Sequence, residues 1–391
     1  MGDLRVGWSA LNPLVVLGAT GSIGRQTMDV AERVGAPIHS IAARRASLDL
    51  LAIARAHPEA NVCVVERGDH REVLEHELGD RLHFGPGAVT EAAASTGVTV
   101  VNGIVGSAGL APSLAALYAG NRLALANKES LVAGGPLIAA ALESEDAGEL
   151  IPIDSEHSAI WQCIVGEPER SVERVILTAS GGPFRGRSRD DLASVTVDQA
   201  LDHPTWSMGP RITVDSATLM NKAFEVIEAH YLFGLPYDAI DVVVHPQSIV
   251  HSFVEFADGV VKAEVGHPDM RKPIQYAITA TERVATDHDA FSPARIDLTF
   301  EEPDRSVFRC LDLGYSAGRT GGTAPAAMNA ADEVAVAEFL DGSLPFLAIA
   351  EVVEDVLRAH EAFTPTSIDD VVSVDDEARR HAREACAVYR T

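Results

Sequence analysis

The stretch IPIDSEHSAIWQCI, residues 151–164, ends an apolar run on two carboxylates one residue apart, Asp154 and Glu156. Residues i and i+2 of an extended segment point to the same side, so this pair can aim at one point, as a hard cation requires. A helix cap is the ordinary alternative, because an Asp or Ser at a strand-to-helix junction accepts a backbone N–H. A cation would need a further oxygen, and VDSATLMNKAFEVIEAHYLFG offers one. Read as a helix from near Ser216 to Gly234, it places Thr218, Asn221, Lys222, Glu225 and Glu228 within an arc of about 120°, opposite Leu219, Met220, Ala223, Phe224, Ile227 and Tyr231. That arc reads either as a solvated face with Lys–Glu support or as an anion seat. In the second reading amide, ammonium and the helix start at Ser216 favour phosphate, and Glu225 stands one turn away as a third carboxylate.

A second kind of chemistry lies near the N-terminus. The turn Gly18-Ala-Thr-Gly21-Ser-Ile-Gly24 follows the apolar strand 14–17 and opens a helix closing at Gly35. Such glycines let a backbone approach a pyrophosphate at a helix start. After the next strand, 38–43, a binder of NAD would carry an acidic residue; this chain has Arg44 and Arg45, which favours NADP. Asn127, Lys128 and Glu129 follow the end of a later strand, as ordinary turn residues or as ligand contacts. Between the two chemistries, paired Gly181 and Gly182 and a distant Gly209 bracket a polar segment with His203, Trp206 and Met208, read as a lid over substrate.

The elements that must position these residues follow from periodicity. Strand-like and helical runs alternate up to residue 153, which predicts an open parallel sheet. The run DVVVHPQSIVHSFVEFADGVVKAEVG predicts two or three strands of an antiparallel sheet, and apolar spacing after residue 317 predicts a small helical domain. The fold class is therefore α/β: a Rossmann-type NADPH domain (1–153), a central α+β catalytic domain (154–287) with the lid loop 181–209, a linker (288–316) and a C-terminal α-helical domain (317–391). With 31 Lys and Arg against 57 Asp and Glu, the net charge of −26 disfavours nucleic acid and anionic membrane as partners. The apolar run LVAGGPLIAAAL is too short to span a bilayer. Four scattered cysteines fit core positions in a reducing, cytoplasmic setting.

The motifs GATGSIG, ALANKESLVAGG, IPIDSEHSAIWQ, SGGPFR, HPTWSMG, DSATLMNKAFEVIEAHYLFG and TAPAAMNAADEVAVAEFL, in this order, closely resemble the 1-deoxy-D-xylulose 5-phosphate reductoisomerase family. The resemblance implies rearrangement of that small phosphorylated sugar and its reduction by NADPH to 2-C-methyl-D-erythritol 4-phosphate, in the non-mevalonate isoprenoid pathway, by a homodimer. It implies that Asp154, Glu156 and Glu225 bind Mg2+ or Mn2+, with Lys128 and His203 in the catalytic set. Ser155, Glu156 and Glu225 would touch the substrate, Ser180, Ser216, Asn221 and Lys222 would hold its phosphate, and His203, Trp206 and Met208 would belong to the lid. Thr20, Gly21, Ser22 and Ile23 would line the cofactor pyrophosphate, with Asn127, Lys128, Glu129 and Gly209 near the ribose or nicotinamide. The family often has Gly-Lys-Asn after the second strand; Ala43, Arg44 and Arg45 stand there instead and keep the positive charge a 2′-phosphate needs. Two rivals are a metal-free NADP-dependent dehydrogenase using Lys128 or Lys222 as proton donor, and a catalytically inactive NADP-binding regulator.

Overall fold

The structure is a computed structural model, and it describes residues 11–206, 208–279, 282–285 and 291–390. The expected boundary at 287/288 lies outside the described residues, as does Ser207 within the lid segment. The chain divides into two compact units. The first comprises the described residues of Met1–Asn127, Ala140–Asp154 and Asp269–His288; the second comprises those of Lys128–Ala139, Ser155–Pro268 and Asp289–Thr391.

The first unit is an α/β layer structure. Its strands are β1 (Leu14–Leu17), β2 (Ile38–Arg45), β3 (Asn61–Glu66), β4 (Leu82–Phe84), β5 (Thr99–Asn102), β6 (Arg122–Leu125) and β7 (Leu150–Pro152). They form one seven-stranded sheet in the order β4-β3-β2-β1-β5-β6-β7, every neighbouring pair parallel. β1 reads LVVL and is buried along its whole length, as expected of a central parallel strand covered on both faces. The chain runs from β1 towards β4 on one side and from β5 towards β7 on the other. The carboxyl ends of β1 and β5 thus form the topological switch point at which such sheets take their ligands. β2 continues two residues past the strand read from the sequence, so Arg44 and Arg45 are its last residues. The helix Arg271–Ile278 returns from far along the chain to this core. It packs beside the helix Ser22–Val34, buries Ile274, Ala277 and Ile278, and brings Arg271 to 3.5 Å from Asp29.

The second unit holds a four-stranded sheet in the order β11-β10-β8-β9, with β8 (Val172–Ala179), β9 (Ile240–Val244), β10 (Val250–Phe256) and β11 (Val261–Val265). This corrects the expected antiparallel arrangement: β10 does pair antiparallel with β8 and β11, but β9 runs parallel to β8. The helix Met220–Phe233 leads through a short connection into β9, and a strand entered from a covering helix returns in the same direction as its neighbour. The helices Ser155–Ile164 and Met220–Phe233 both pack on this sheet. Four further helices follow, Cys310–Thr320, Ala324–Leu340, Ala348–Ala359 and Ile368–Tyr389; the first begins inside the stretch read as a linker.

A second correction concerns the helix expected from Ser216 to Gly234. It is two helices, Pro210–Thr218 and Met220–Phe233, broken at Leu219, whose φ of 63° is left-handed. Such a conformation costs a Leu roughly 1–2 kcal/mol. Burial of the Leu219 side chain and a hydrogen bond from the Met220 N–H to Thr218 Oγ1 (3.2 Å) offset that cost.

Candidate active site

The polar arc of the helix Met220–Phe233 is buried: Lys222, Glu225 and Glu228 are each under 5% exposed. A solvated face is thereby excluded. Glu225 receives hydrogen bonds from Lys128 Nζ at 3.2 Å, from Asn221 Nδ2 at 2.5 Å, and from Lys222 Nζ. Lys128 Nζ also stands 3.6 Å from Glu228, and Lys222 Nζ 3.7 Å from Glu156. Buried carboxylates demand cations, and here two ammonium groups meet that demand.

Glu156 lies in the first turn of the helix Ser155–Ile164, where Ser155 Oγ donates to it at 2.6 Å. Asp154 is joined to that helix by its own peptide bond. Asp154, Glu156 and Glu225 each bring a carboxylate oxygen within 4.8 Å of the others. Three carboxylates this close repel one another unless positive charge lies among them, and an all-oxygen donor set fits a hard divalent cation. His157 and Glu228, which the sequence reading left without a role, form a second such group with Asp154. His157 is fully buried, and its Nε2 donates to the backbone carbonyl of Glu225 at 2.9 Å, tying the two ligand-bearing helices together. Its place directly after Glu156 was the available signal.

The segment 181–209 brings together a different chemistry. His203 Nδ1 accepts the backbone N–H of Thr205 (3.1 Å) and of Trp206 (2.9 Å), so the ring proton sits on Nε2. Nε2 faces Ser180 Oγ at 3.0 Å and Ser216 Oγ at 3.1 Å. Burial lowers the His203 pKa, which keeps the imidazole neutral and a donor. Two hydroxyls and an N–H converging on one spot are what a phosphate seat offers. Gly182 makes the approach possible: at its φ of +66°, a Cβ would stand 2.7 Å from the Ser216 carbonyl oxygen. Asn221 and Lys222, expected beside this seat, bond Glu225. Trp206 is half-buried, with its ring 6.5 Å from that of His251. The lid is rooted at Phe184, which is fully buried and packs edge-on against Phe346 at 5.0 Å.

In the first unit, Gly18 takes φ +82° at the end of β1, and a Cβ there would meet the Gly103 carbonyl oxygen at 2.6 Å. A Cβ on Gly24 would meet the Gly18 carbonyl oxygen at 2.4 Å. The helix Ser22–Val34 starts at Gly21 without a side-chain cap, so the N-cap offers no side-chain acceptor to the N–H groups of the first turn, which a pyrophosphate at Thr20 to Ile23 could take. Arg44 Nε and Arg45 Nε both donate to Glu66, at 2.7 and 2.9 Å, and Arg45 lies opposite Glu66 in the β2–β3 ladder. Ala43 is buried, its side chain 5% exposed. Asn127 Nδ2 ties down the loop after β5 through the carbonyls of Ile104 (2.8 Å) and Gly106 (3.0 Å). Glu129, in the second unit, bonds Arg211 at 2.7 Å, and Gly209 is the N-cap of the helix Pro210–Thr218. Arg211 is a further residue the sequence reading passed over.

Three family descriptions match the chain. They are 1-deoxy-D-xylulose 5-phosphate reductoisomerase over residues 14–135, its C-terminal domain over 150–233, and the DXP reductoisomerase C-terminal domain over 265–381. A 1-deoxy-D-xylulose 5-phosphate reductoisomerase of Chlorobium chlorochromatii is 48% identical over 380 residues, covering 95% of this chain and 99% of its own. That of Xanthomonas oryzae pv. oryzae is 48% identical over 392 residues, covering 97% and 98%. Among solved structures, the reductoisomerase of Zymomonas mobilis in complex with NADPH superposes with a TM-score of 0.88 at 39% identity, covering 96% of this chain and 99% of that one. A DOX-P reductoisomerase in complex with NADPH, fosmidomycin and magnesium gives 0.89 at 35% identity, covering 97% and 99%. The chain belongs to the 1-deoxy-D-xylulose 5-phosphate reductoisomerase family.

Proposed function

We propose that this chain converts 1-deoxy-D-xylulose 5-phosphate into 2-C-methyl-D-erythritol 4-phosphate, using NADPH and Mg2+ or Mn2+, in the non-mevalonate route to isoprenoid precursors. The observation that carries the reading is the buried Glu225 among Lys128, Lys222 and Asn221, with oxygens of Asp154 and Glu156 within 4.8 Å. In this reading Asp154, Glu156 and Glu225 hold the cation. Ser180, Ser216 and His203 seat the sugar's phosphate, and Asn221 and Lys222, which bond Glu225, would supply further donors to it. Ser155, beside Glu156, orients the substrate's oxygens. Trp206 and Met208 exclude water as the lid closes. The glycine turn 18–24 takes the pyrophosphate, and Arg44 and Arg45 take the 2′-phosphate, with Ala43 beside them. Asn127, Lys128, Glu129 and Gly209 stand towards the ribose or nicotinamide. When bound, the cation supplies Lewis-acid polarisation and the nicotinamide supplies hydride.

Among the described residues no helix is long and apolar enough to cross a membrane. A cytoplasmic homodimer, and the division 1–153, 154–287, 288–316 and 317–391, belong to the same proposal; sedimentation equilibrium tests the dimer. The activity is tested by NADPH oxidation with 1-deoxy-D-xylulose 5-phosphate, with Mg2+ or Mn2+ and with a chelator. A metal-dependent rate is expected. Turnover that survives chelation would favour a metal-free dehydrogenase, and NADPH binding without turnover an inactive regulator.

A further inference from the structure

Arg211 is the second residue of the helix Pro210–Thr218, two residues beyond the glycine that ends the lid segment. Its guanidinium collects partners from three stretches of the second unit. Nη1 donates to Glu129 Oε1 at 2.7 Å and to Glu333 Oε1 at 2.9 Å, and Nη2 donates to Asn329 Oδ1 at 2.8 Å. Asp332 stands 3.5 Å from Nη2, and Asp215 stands 3.7 Å from Nε. Asn329 and Asp332 are fully buried and Asp215 is 3% exposed, so these three partners cannot relax into water. A buried ion cluster adds little stability over packed apolar side chains. What a planar guanidinium adds is direction, because its donors leave at fixed angles and its partners must keep their places.

Two of those places belong to the candidate site. Glu129 follows Lys128, whose ammonium reaches Glu225. The helix that Arg211 opens carries Ser216, whose hydroxyl meets His203 Nε2. The third place is the helix Ala324–Leu340, which contributes Asn329, Asp332 and Glu333. We propose that Arg211 is a positioning residue for the sugar-phosphate site: through it, the C-terminal helix Ala324–Leu340 sets the starts of the two helices that deliver Lys128 and Ser216. This rests on the reductoisomerase reading.

The test compares wild type with Arg211→Met and Arg211→Lys. It measures KM and kcat for 1-deoxy-D-xylulose 5-phosphate at saturating NADPH and Mg2+, and NADPH binding to the protein without metal or substrate. Arg211→Met is expected to raise KM about tenfold or more, while NADPH, held mainly by the glycine turn of the other unit, loses less affinity through Glu129 and Gly209. Arg211→Lys keeps the charge but cannot span Glu129 and Asn329 together, so KM rises severalfold; it also serves as the test if Arg211→Met does not fold. A purely structural role would lower thermal stability and the active fraction with KM unchanged. KM within about twofold of wild type in either folded variant would overturn the proposal. Absence of NADPH oxidation in the wild-type protein would instead sink the assigned activity.

Discussion

Glu225 stands at 1% exposure with hydrogen bonds from two ammonium groups and one amide. Removing its charge while keeping its shape separates metal holding from folding. Glu225→Gln leaves Lys128 and Lys222 in place but offers a weaker oxygen to a cation. We expect turnover to fall by roughly a hundredfold or more, the scale of losing one electrostatic partner in an enclosed site. Mn2+ binding, followed by electron paramagnetic resonance, should weaken in parallel, and NADPH binding should persist because the glycine turn belongs to the other unit. Unchanged Mn2+ affinity would remove Glu225 from the metal set. The same logic explains what could be read from residues alone. The i, i+2 spacing drew attention to Asp154 and Glu156, although the strand ends at Pro152 and Glu156 lies in the first turn of a helix, not in the extended segment that reading assumed; Glu225 was marked by its place on one helical face. The bridging of Glu225 and Glu228 by Lys128 was not legible, since it joins positions 97 residues apart for Glu225 alone.

At the scale of elements, the proposed phosphate seat depends on a backbone contact that only glycine permits. Alanine at 182 would need a strained φ, and its Cβ would press on the Ser216 carbonyl, a backbone atom with little room to give. Gly182→Ala should cost about 1–3 kcal/mol and spread Ser180, His203 and Ser216 apart. The expected outcome is a KM for the sugar phosphate raised about tenfold, with NADPH affinity unchanged; a KM equal to wild type would show that the seat lies elsewhere. Elements built from local contacts were legible, among them β1, the glycine turn and the helix after it. Elements set by distant partners were not. Leu219 sits within helix-favouring sequence, and only tertiary packing forces its left-handed break. The parallel pairing of β8 with β9 and the return of Arg271–Ile278 to the first core join segments far apart in the chain. Arg211 escaped notice because its hydrogen-bond partners lie at Glu129 and in a helix beginning at Ala324, while its local i, i+4 pair with Asp215 is too common a spacing to mark it.

At the scale of the molecule, a net charge of −26 means that acidification relieves self-repulsion whatever else happens, so a pH effect on stability needs an internal reference. The buried pair Asp215 and Asp332 supplies one. Burial pushes Asp332 up to about 6, against the pull of Arg211 and of its hydrogen bond with Asp215. Burial, and then the neighbouring Asp332, hold Asp215 well above the ordinary carboxylate range. For Arg211, burial opposes the charge, but Asp215, Glu129, Asp332 and Glu333 outweigh it and keep the guanidinium protonated. Arg379 also holds Glu333, which leaves Arg211 to Asp215, Glu129 and Asp332, and the cluster is satisfied if Asp215 keeps its proton and donates it to Asp332. A folded-state pKa above the unfolded value gives stability that is complete below about pH 4 and is lost as pH rises through about 6. Asp332→Asn removes that titration, retains an oxygen for Arg211 and for the Asp215 proton, and barely alters the net charge. Thermal unfolding of both proteins between pH 5 and pH 8 should therefore show the variant gaining on wild type as pH rises, by about 2 °C or more at the upper end. A gap that stays constant, or that closes with rising pH, would mean that Asp332 is ionised without cost and that Arg211 and Arg379 between them balance the cluster.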